Sequence, residues 1–196
     1  MSGITTVNSD RLDSMLDQIL AEVAACVRQV SAESLAQAGV LIESASRIFV
    51  AGAGRSGLCM RALAMRLTHI GKSVYVVGET TTPAIAAADL LILGSGSGKT
   101  ASLLAIAAQA RRQGAIILLF TTDATSPLAE QADYRVVIPA PAFKTAEEVH
   151  GLISMQPLGT LFEQSLLILC DCLILSLMKR TGVSAAQMVE RHANLE

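Results

Sequence analysis

The chain has 196 residues, enough for one sizeable core, and a formal net charge of −2, which gives no electrostatic reason to expect nucleic acid or an anionic membrane as a partner. Apolar residues make up 52% while aromatics are only 3%, and this excess of Ala, Leu, Ile and Val suits helices packed on a buried parallel sheet. So much apolar surface on a small chain predicts a homo-oligomer; a tetramer is the form expected, with a dimer the alternative.

In chain order, the start MSGITTVNSD is polar and lacks a basic-then-apolar leader pattern. Residues 10–45 are helical in pattern: Leu12, Met15, Leu16, Ile19, Leu20, Val23 and Val27 recur at three and four, and Ser31 with Ser34 marks a restart. From residue 47 the texture becomes strand, loop, helix, repeated. RIFVA (47–51), SVYVV (73–77), DLLIL (89–93), AIILLF (115–120) and YRVVI (134–138) read as five buried strands. Helices are expected from Leu58 to Ile70, over 100–113, and after Ser126-Pro127, where proline suits a first turn. Residues 139–157 read as a long irregular connection. A long helix over 158–181 stops at Gly182, and a short one over 184–190 leads to the tail RHANLE.

This alternation predicts an α/β three-layer sandwich with a five-stranded parallel sheet and an N-terminal helical arm. The chain reads as one domain over 1–196, with the arm at 10–45, the sheet core at 46–157 and the C-terminal helices and tail at 158–196. The apolar run 165–178 carries Asp171 and falls short of the roughly 20 residues of a membrane span, so it is expected to be a core or interface helix. Cys26, Cys59, Cys170 and Cys172 form no C-x-x-C pair and are expected to be buried free thiols in a reducing cytoplasm.

In such sheets ligands sit beyond the carboxyl ends of the strands, where 52–57, 78–82, 94–100 and 121–126 fall. Two of these loops mimic nucleotide motifs. GSGSGKT (94–100) suggests a phosphate loop, but G-x-x-x-x-G-K-[ST] needs glycine at 93, and that residue is Leu93. GAGRSG (52–57) matches G-x-G-x-x-G after a strand, with Glu79 about 20 residues on. Glu79 lies behind Gly78 rather than at a strand tip, and Arg55-Ser56 are poor residues for close backbone approach to a dinucleotide. The reading favoured is that both loops hold one phosphomonoester. Ser56 opens one helix, and Ser95, Ser97 and Thr100 precede another, so amides, helix dipoles and hydroxyls converge on an anion. Taken singly, Ser97 or Thr100 is as readily an ordinary helix cap.

GAGRSG, VGETTTPAI, SGSGKT, QPLGTLFEQ and the terminal RHANLE together resemble the sugar isomerase (SIS) family, and within it the 6-phospho-3-hexuloisomerase branch, over nearly the whole chain. The resemblance implies a flavodoxin-like SIS fold. It also implies interconversion of a 3-hexulose 6-phosphate and fructose 6-phosphate through an enediol, in the ribulose monophosphate route of formaldehyde fixation, without redox cofactor or metal. Lys99 departs from the glutamate often found there. Other SIS phosphosugar isomerases, acting on arabinose 5-phosphate or phosphoheptose, and a phosphosugar-sensing domain remain alternatives.

Glu163 is the expected base. It stands near a helix start on an apolar face, although Thr160 and Glu163 also fit a capping box. His192 in the tail is the expected proton shuttle or ring-opening group, with His69 and His150 weaker candidates. Ser56, Ser95, Ser97 and Thr100 are expected to hold phosphate. Gly54, Arg55, Glu79, Thr80, Gly96 and Lys99, with Thr121, are expected around the substrate. The arm and tail are expected to cross a subunit boundary and complete a shared site.

Overall fold

In the computed structural model, which describes residues 9–141 and 153–195, the arm is two helices, α1 (Ser9–Arg28) and α2 (Ala32–Ser44). Ser31 separates them, and its side chain accepts a hydrogen bond from the Ser34 amide, as the serine pair suggests. The βα alternation then follows: β1 (Arg47–Gly52), α3 (Gly54–His69), β2 (Ser73–Val76), β3 (Leu90–Gly94), α4 (Ala101–Arg112), β4 (Ile116–Thr121), α5 (Pro127–Gln131) and β5 (Tyr134–Val137). Helices α6 (Thr160–Thr181) and α7 (Ala185–Glu190) complete the chain. The expected connection 139–157, with its His150, lies largely outside the described residues.

The five strands are all parallel, in the order β2-β1-β3-β4-β5. Side chains alternate between faces, as the strand period demands. Ile48, Val50, Leu90, Ile92, Leu118 and Phe120 join one core with α1, α2, α3 and α6. Phe49, Ala51, Leu91, Leu93, Ile117 and Leu119 join the other with α4 and α5. Both faces are therefore covered, and the strands read as unbroken apolar runs. Truncating one of these buried leucines, such as Leu91→Ala, costs about 2–5 kcal/mol.

Helix α6 is long and apolar enough to cross a membrane by length and composition, with mean hydropathy 1.8, but half of that stretch is buried within this chain. Its inner face (Leu161, Phe162, Leu166, Leu169, Cys170, Leu173, Ile174 and Leu177) packs into the first core, so it serves as a core helix. Three cysteines are buried as expected; Cys172 is exposed on the outer face of α6, because it is two positions on from Cys170 and two helical residues point apart.

One boundary differs in an instructive way. The sequence places the body of this helix from Leu58, with GAGRSG as the loop that leads into it, yet α3 begins at Gly54 and takes up most of the motif. Glycine is a poor helix residue, by about 1 kcal/mol. Here contact requires it: a Cβ on Gly57 would lie 2.6 Å from the Gly52 carbonyl oxygen, and one on Gly52 would lie 2.9 Å from the Gly57 backbone. Two of the fingerprint glycines thus let the helix start press onto the strand end.

Candidate active site

The connection after β1 leads outward to β2, and the next strand, β3, returns to the other side of β1. Strand order therefore reverses between β1 and β3, and a crevice opens beyond their carboxyl ends. Gly52 and Gly94 pair across this point. A cleft of about 890 Å³ lies there, lined by the β1 and β3 loops, by Thr122 after β4, and by the start of α6.

Three helices begin at this cleft. Ala53 precedes α3 and Thr100 precedes α4, and neither side chain caps its helix. The first turns of α3 and α4 carry no acidic residue. Their positive ends therefore face the cleft without an acidic residue of their own first turns to satisfy them, which suits an anion. Thr100 holds the capping position without a capping bond; its hydroxyl lies 3.5 Å from the Ser95 hydroxyl. Ser97 accepts a local bond from the Lys99 amide at 3.3 Å. Ser56 and Ser95 are buried to 9% and 4% exposure, with Ser56 in the first turn of α3.

The 94–100 loop is braced from behind. The Gly96 carbonyl accepts bonds from the Thr121 hydroxyl at 3.1 Å, the Thr122 amide at 3.0 Å and the Thr122 hydroxyl at 2.9 Å. The Gly98 carbonyl accepts from Leu128 at the start of α5. Gly98 has φ +61°, and a Cβ there would fall 2.0 Å from the Ser126 hydroxyl oxygen, so only glycine fits. These bonds preset the shape of the loop.

Glu163, in the first turn of α6, lines the same cleft. Its Oε2 is 2.5 Å from Arg55 Nε, with side-chain exposures of 13% and 62%. Cys59 Sγ donates to the Glu163 carbonyl at 3.3 Å, tying α6 to α3. The capping box does not form: Gly159 is the N-cap, and the Thr160 hydroxyl donates to the Pro157 carbonyl at 2.6 Å. Glu163 is thus held by a cation at the cleft wall, not by its own helix end.

Nine expected residues meet in this one cleft: Gly54, Arg55, Ser56, Ser95, Gly96, Ser97, Lys99, Thr100 and Glu163. Four others do not, nor does the weaker candidate His69. Glu79 pairs with Arg61 at 2.5 Å and lines a separate hollow of about 310 Å³, because Gly78 (φ +97°) turns the chain away after β2. Thr80 is exposed beside it. Thr121 is fully buried as a brace under Gly96 rather than lining the cleft. His192 lies at the far end of α3, its ring 5.1 Å from that of His69, which α3 separates from Arg55 by about 21 Å at 1.5 Å per residue. Burial, then the nearby His192 and Arg66, push the His69 pKa down. Thr122 lines the cleft from the 121–126 loop, one of those expected at the ligand side, while Pro141, Phe162 and the turn Pro157-Leu158-Gly159 line it without having been singled out. The proline-glycine pair marks a turn, but the positive φ of Leu158 (56°) has no sequence signature. Among the described residues no three His, Cys, Asp or Glu side chains cluster as a metal site.

Residues 41–169 match the SIS domain. The chain belongs to the SIS-domain family. Within it, the chain is 46% identical over 194 residues to a protein of Mycobacterium gastri named 3-hexulose-6-phosphate isomerase, covering 99% of this chain and 96% of that one. A Bacillus subtilis protein of the same name is 41% identical, over 91% and 96% of the two chains. A crystal structure from Methanococcus jannaschii, described as inferring a molecular function of 3-hexulose-6-phosphate isomerase, superimposes with a TM-score of 0.80 at 34% identity, covering 93% of this chain and 99% of that one. The SIS match spans β1 to α6, the elements that build the cleft.

Proposed function

We propose that this SIS enzyme is a 3-hexulose-6-phosphate isomerase, interconverting D-arabino-hex-3-ulose 6-phosphate and fructose 6-phosphate. The carrying observation is that one cleft is lined both by hydroxyls at two helix starts without side-chain caps and by the Glu163 carboxylate of α6. That pairing is what a phosphosugar carbon acid needs: a remote anchor and a base.

Ser56, Ser95, Ser97, Thr100 and the first amides of α3 and α4 hold the phosphate, with Lys99 adding charge. Each helix start contributes about 0.3–1 kcal/mol, and up to about 2 where partly buried. This binding energy positions the reacting carbons. Glu163 removes the proton from C2 of the 3-ketose, and the C3 carbonyl oxygen takes up a proton to give the 2,3-enediol. The same carboxyl returns its proton to C3 while O2 loses its own, leaving the C2 ketone. Protons balance, and no electron leaves the substrate. Arg55 holds Glu163 at the cleft wall; an oxygen of the substrate phosphate or enediolate competes for that guanidinium.

His192 lies too far along α3 to reach the cleft of its own chain, so it acts in the cleft of a second subunit. Exposed Leu12, Leu16 and Leu20 on α1, Leu58 and Met65 on α3, and Leu167, Ile168 and Leu175 on α6 supply the apolar faces for a homotetramer. We place the enzyme in the cytoplasm and in the ribulose monophosphate pathway, as one domain over 1–196 acting without metal or redox cofactor.

The direct test is to incubate the purified protein with fructose 6-phosphate, arabinose 5-phosphate and sedoheptulose 7-phosphate and identify products by NMR. Only fructose 6-phosphate should turn over, to the 3-ketose. Turnover of either other sugar instead, or binding without any turnover, would overturn the assignment. Co-expressed Glu163→Gln and His192→Ala chains should recover part of the activity each lacks alone; no recovery would refute the shared site.

A further inference from the structure

Glu22 lies on α1, outside every motif of the sequence. Its neighbours Val23 and Cys26 are buried in the core shared with α6, which fixes the direction in which its side chain leaves the helix. The carboxylate is saturated. Oε2 accepts from the Ser154 hydroxyl at 2.6 Å and Gln156 Nε2 at 3.0 Å. Oε1 accepts from the Met155 amide at 3.0 Å and Gln18 Nε2 at 3.3 Å. A carboxylate offers about four acceptor positions, and here three of the donors come from one tripeptide. Ser154 Oγ also accepts from the Gln156 amide at 3.1 Å, closing the segment on itself. Burial opposes ionisation of Glu22, but the bonds from Ser154, Met155, Gln156 and Gln18 carry its carboxyl below the usual range.

The cleft rim begins directly after this tripeptide. Pro157, Leu158 and Gly159 line the cleft; Leu158 is 68% exposed and holds φ 56°, a strained conformation for a branched side chain. Such strain persists only when the chain is fixed on both sides. On the far side, Thr160 donates its amide and hydroxyl to the Pro157 carbonyl, and the Glu163 amide donates to the Gly159 carbonyl. On the near side, the fixing group is Glu22.

We propose that Glu22 is a positioning residue: its carboxylate latches residues 154–156 to the amino-terminal arm and so holds the strained rim, and one turn further the Glu163 carboxylate, in reacting position. The consequence for turnover rests on Glu163 being the base. The phosphate cradle stands apart from this latch. Its loops hang on β1, β3 and β4, and their bracing bonds run to Thr121, Thr122 and Leu128 rather than to Glu22.

The test compares Glu22→Ala, Glu22→Gln and, as a control on the same helix, Asp17→Ala. Amide hydrogen exchange is followed by mass spectrometry, together with kcat, KM and competitive inhibition by inorganic phosphate. Glu22→Ala should speed exchange of residues 153–163 by roughly tenfold or more while the amides of β1, β3 and β4 keep their protection. It should lower kcat roughly tenfold or more and leave the inhibition constant of phosphate within about twofold, since the cradle is intact. Glu22→Gln, which keeps one carbonyl oxygen at the same reach, should fall between wild type and Ala, and Asp17→Ala should match wild type. Unchanged exchange over 153–163, or equal loosening of the sheet, would overturn the latch. Local loosening with kcat unchanged would overturn its positioning role. Wild-type protein with no isomerase activity would defeat the functional reading, while the exchange and phosphate measurements would still decide the latch.

Discussion

An arginine meets a carboxylate at each end of the parallel sheet, and the two pairs are built differently. At the amino ends of β1 and β3, Arg47 grips Asp89 through two nitrogens, Nε to Oδ1 at 3.0 Å and Nη2 to Oδ2 at 2.6 Å. Asp89 is 4% exposed and also accepts from the Ala86 amide at 2.7 Å. Beyond the carboxyl ends, Arg55 touches Glu163 through Nε, and 62% of its side chain faces solvent. A bidentate pair whose carboxylate is buried and takes a third bond from the backbone fixes geometry. A pair joined through one nitrogen at the mouth of a cleft can open when a better anion arrives. The same two kinds of charged group are thus held differently, and bond count and exposure tell them apart.

The sharpest way to break this contrast is the same kind of change at each end. Glu163→Gln should lower kcat by about a thousandfold while leaving Tm within about 3 °C, as measured by steady-state assay and thermal denaturation. A large loss of Tm would make Glu163 structural and erase the distinction. Next in size, Arg55→Met should lower kcat/KM roughly 10- to 100-fold, with Arg55→Lys recovering only part, because one ammonium cannot reproduce a planar guanidinium. If lysine restored full activity, Arg55 would be only a point charge.

Asp89→Asn should do the reverse of Glu163→Gln. Tm should fall by roughly 5–10 °C with kcat per folded molecule unchanged. The pH dependence carries the sign. Burial opposes ionisation of Asp89, but the bonds from Arg47 and Ala86 and the charge of Arg47 hold its carboxyl below the usual range. Its contribution is thus fully present above the unfolded carboxylate value of about 3.9 and lost as pH falls through the lower folded value. Wild type and Asp89→Asn should converge in stability in strong acid; a gap that persists there would contradict the ion-pair account. The smallest effect is at Lys99, whose exposed charge lines the cleft. Lys99→Glu should weaken inhibition by inorganic phosphate roughly threefold, and less at high salt.

Much of the fold was legible in the sequence because the signals are local. The apolar runs marked all five strands to within a residue or two, Ser31 and Ser126-Pro127 marked real helix starts, and the missing glycine at Leu93 separated the 94–100 loop from a nucleotide loop. The GAGRSG fingerprint was legible as a motif but not as physics: Gly52 and Gly57 serve strand–helix contact. What stayed hidden depends on distance in the fold. Glu79 sits at a plausible spacing and is carried off by a turn at Gly78. Thr121 and Thr122 are chemically alike and both donate to the Gly96 carbonyl, yet only Thr122, just past the end of β4, also lines the cleft. Glu22 gives no signal, since its partners lie at the other end of the chain. Glu163 and His192 were named together, yet one chain holds them at opposite ends of α3.

The central claim is that Glu163 moves a proton on a sugar held by the 53–56 and 95–100 loops. Solvent exchange tests it most directly. Wild-type protein and Glu163→Gln are incubated with fructose 6-phosphate in deuterium oxide, with the C3 proton followed by NMR and binding by calorimetry on the same samples. The wild type should incorporate deuterium at C3, and the variant should bind the sugar phosphate within a fewfold of wild type yet leave C3 protonated. Exchange at an undiminished rate in the variant would contradict the account.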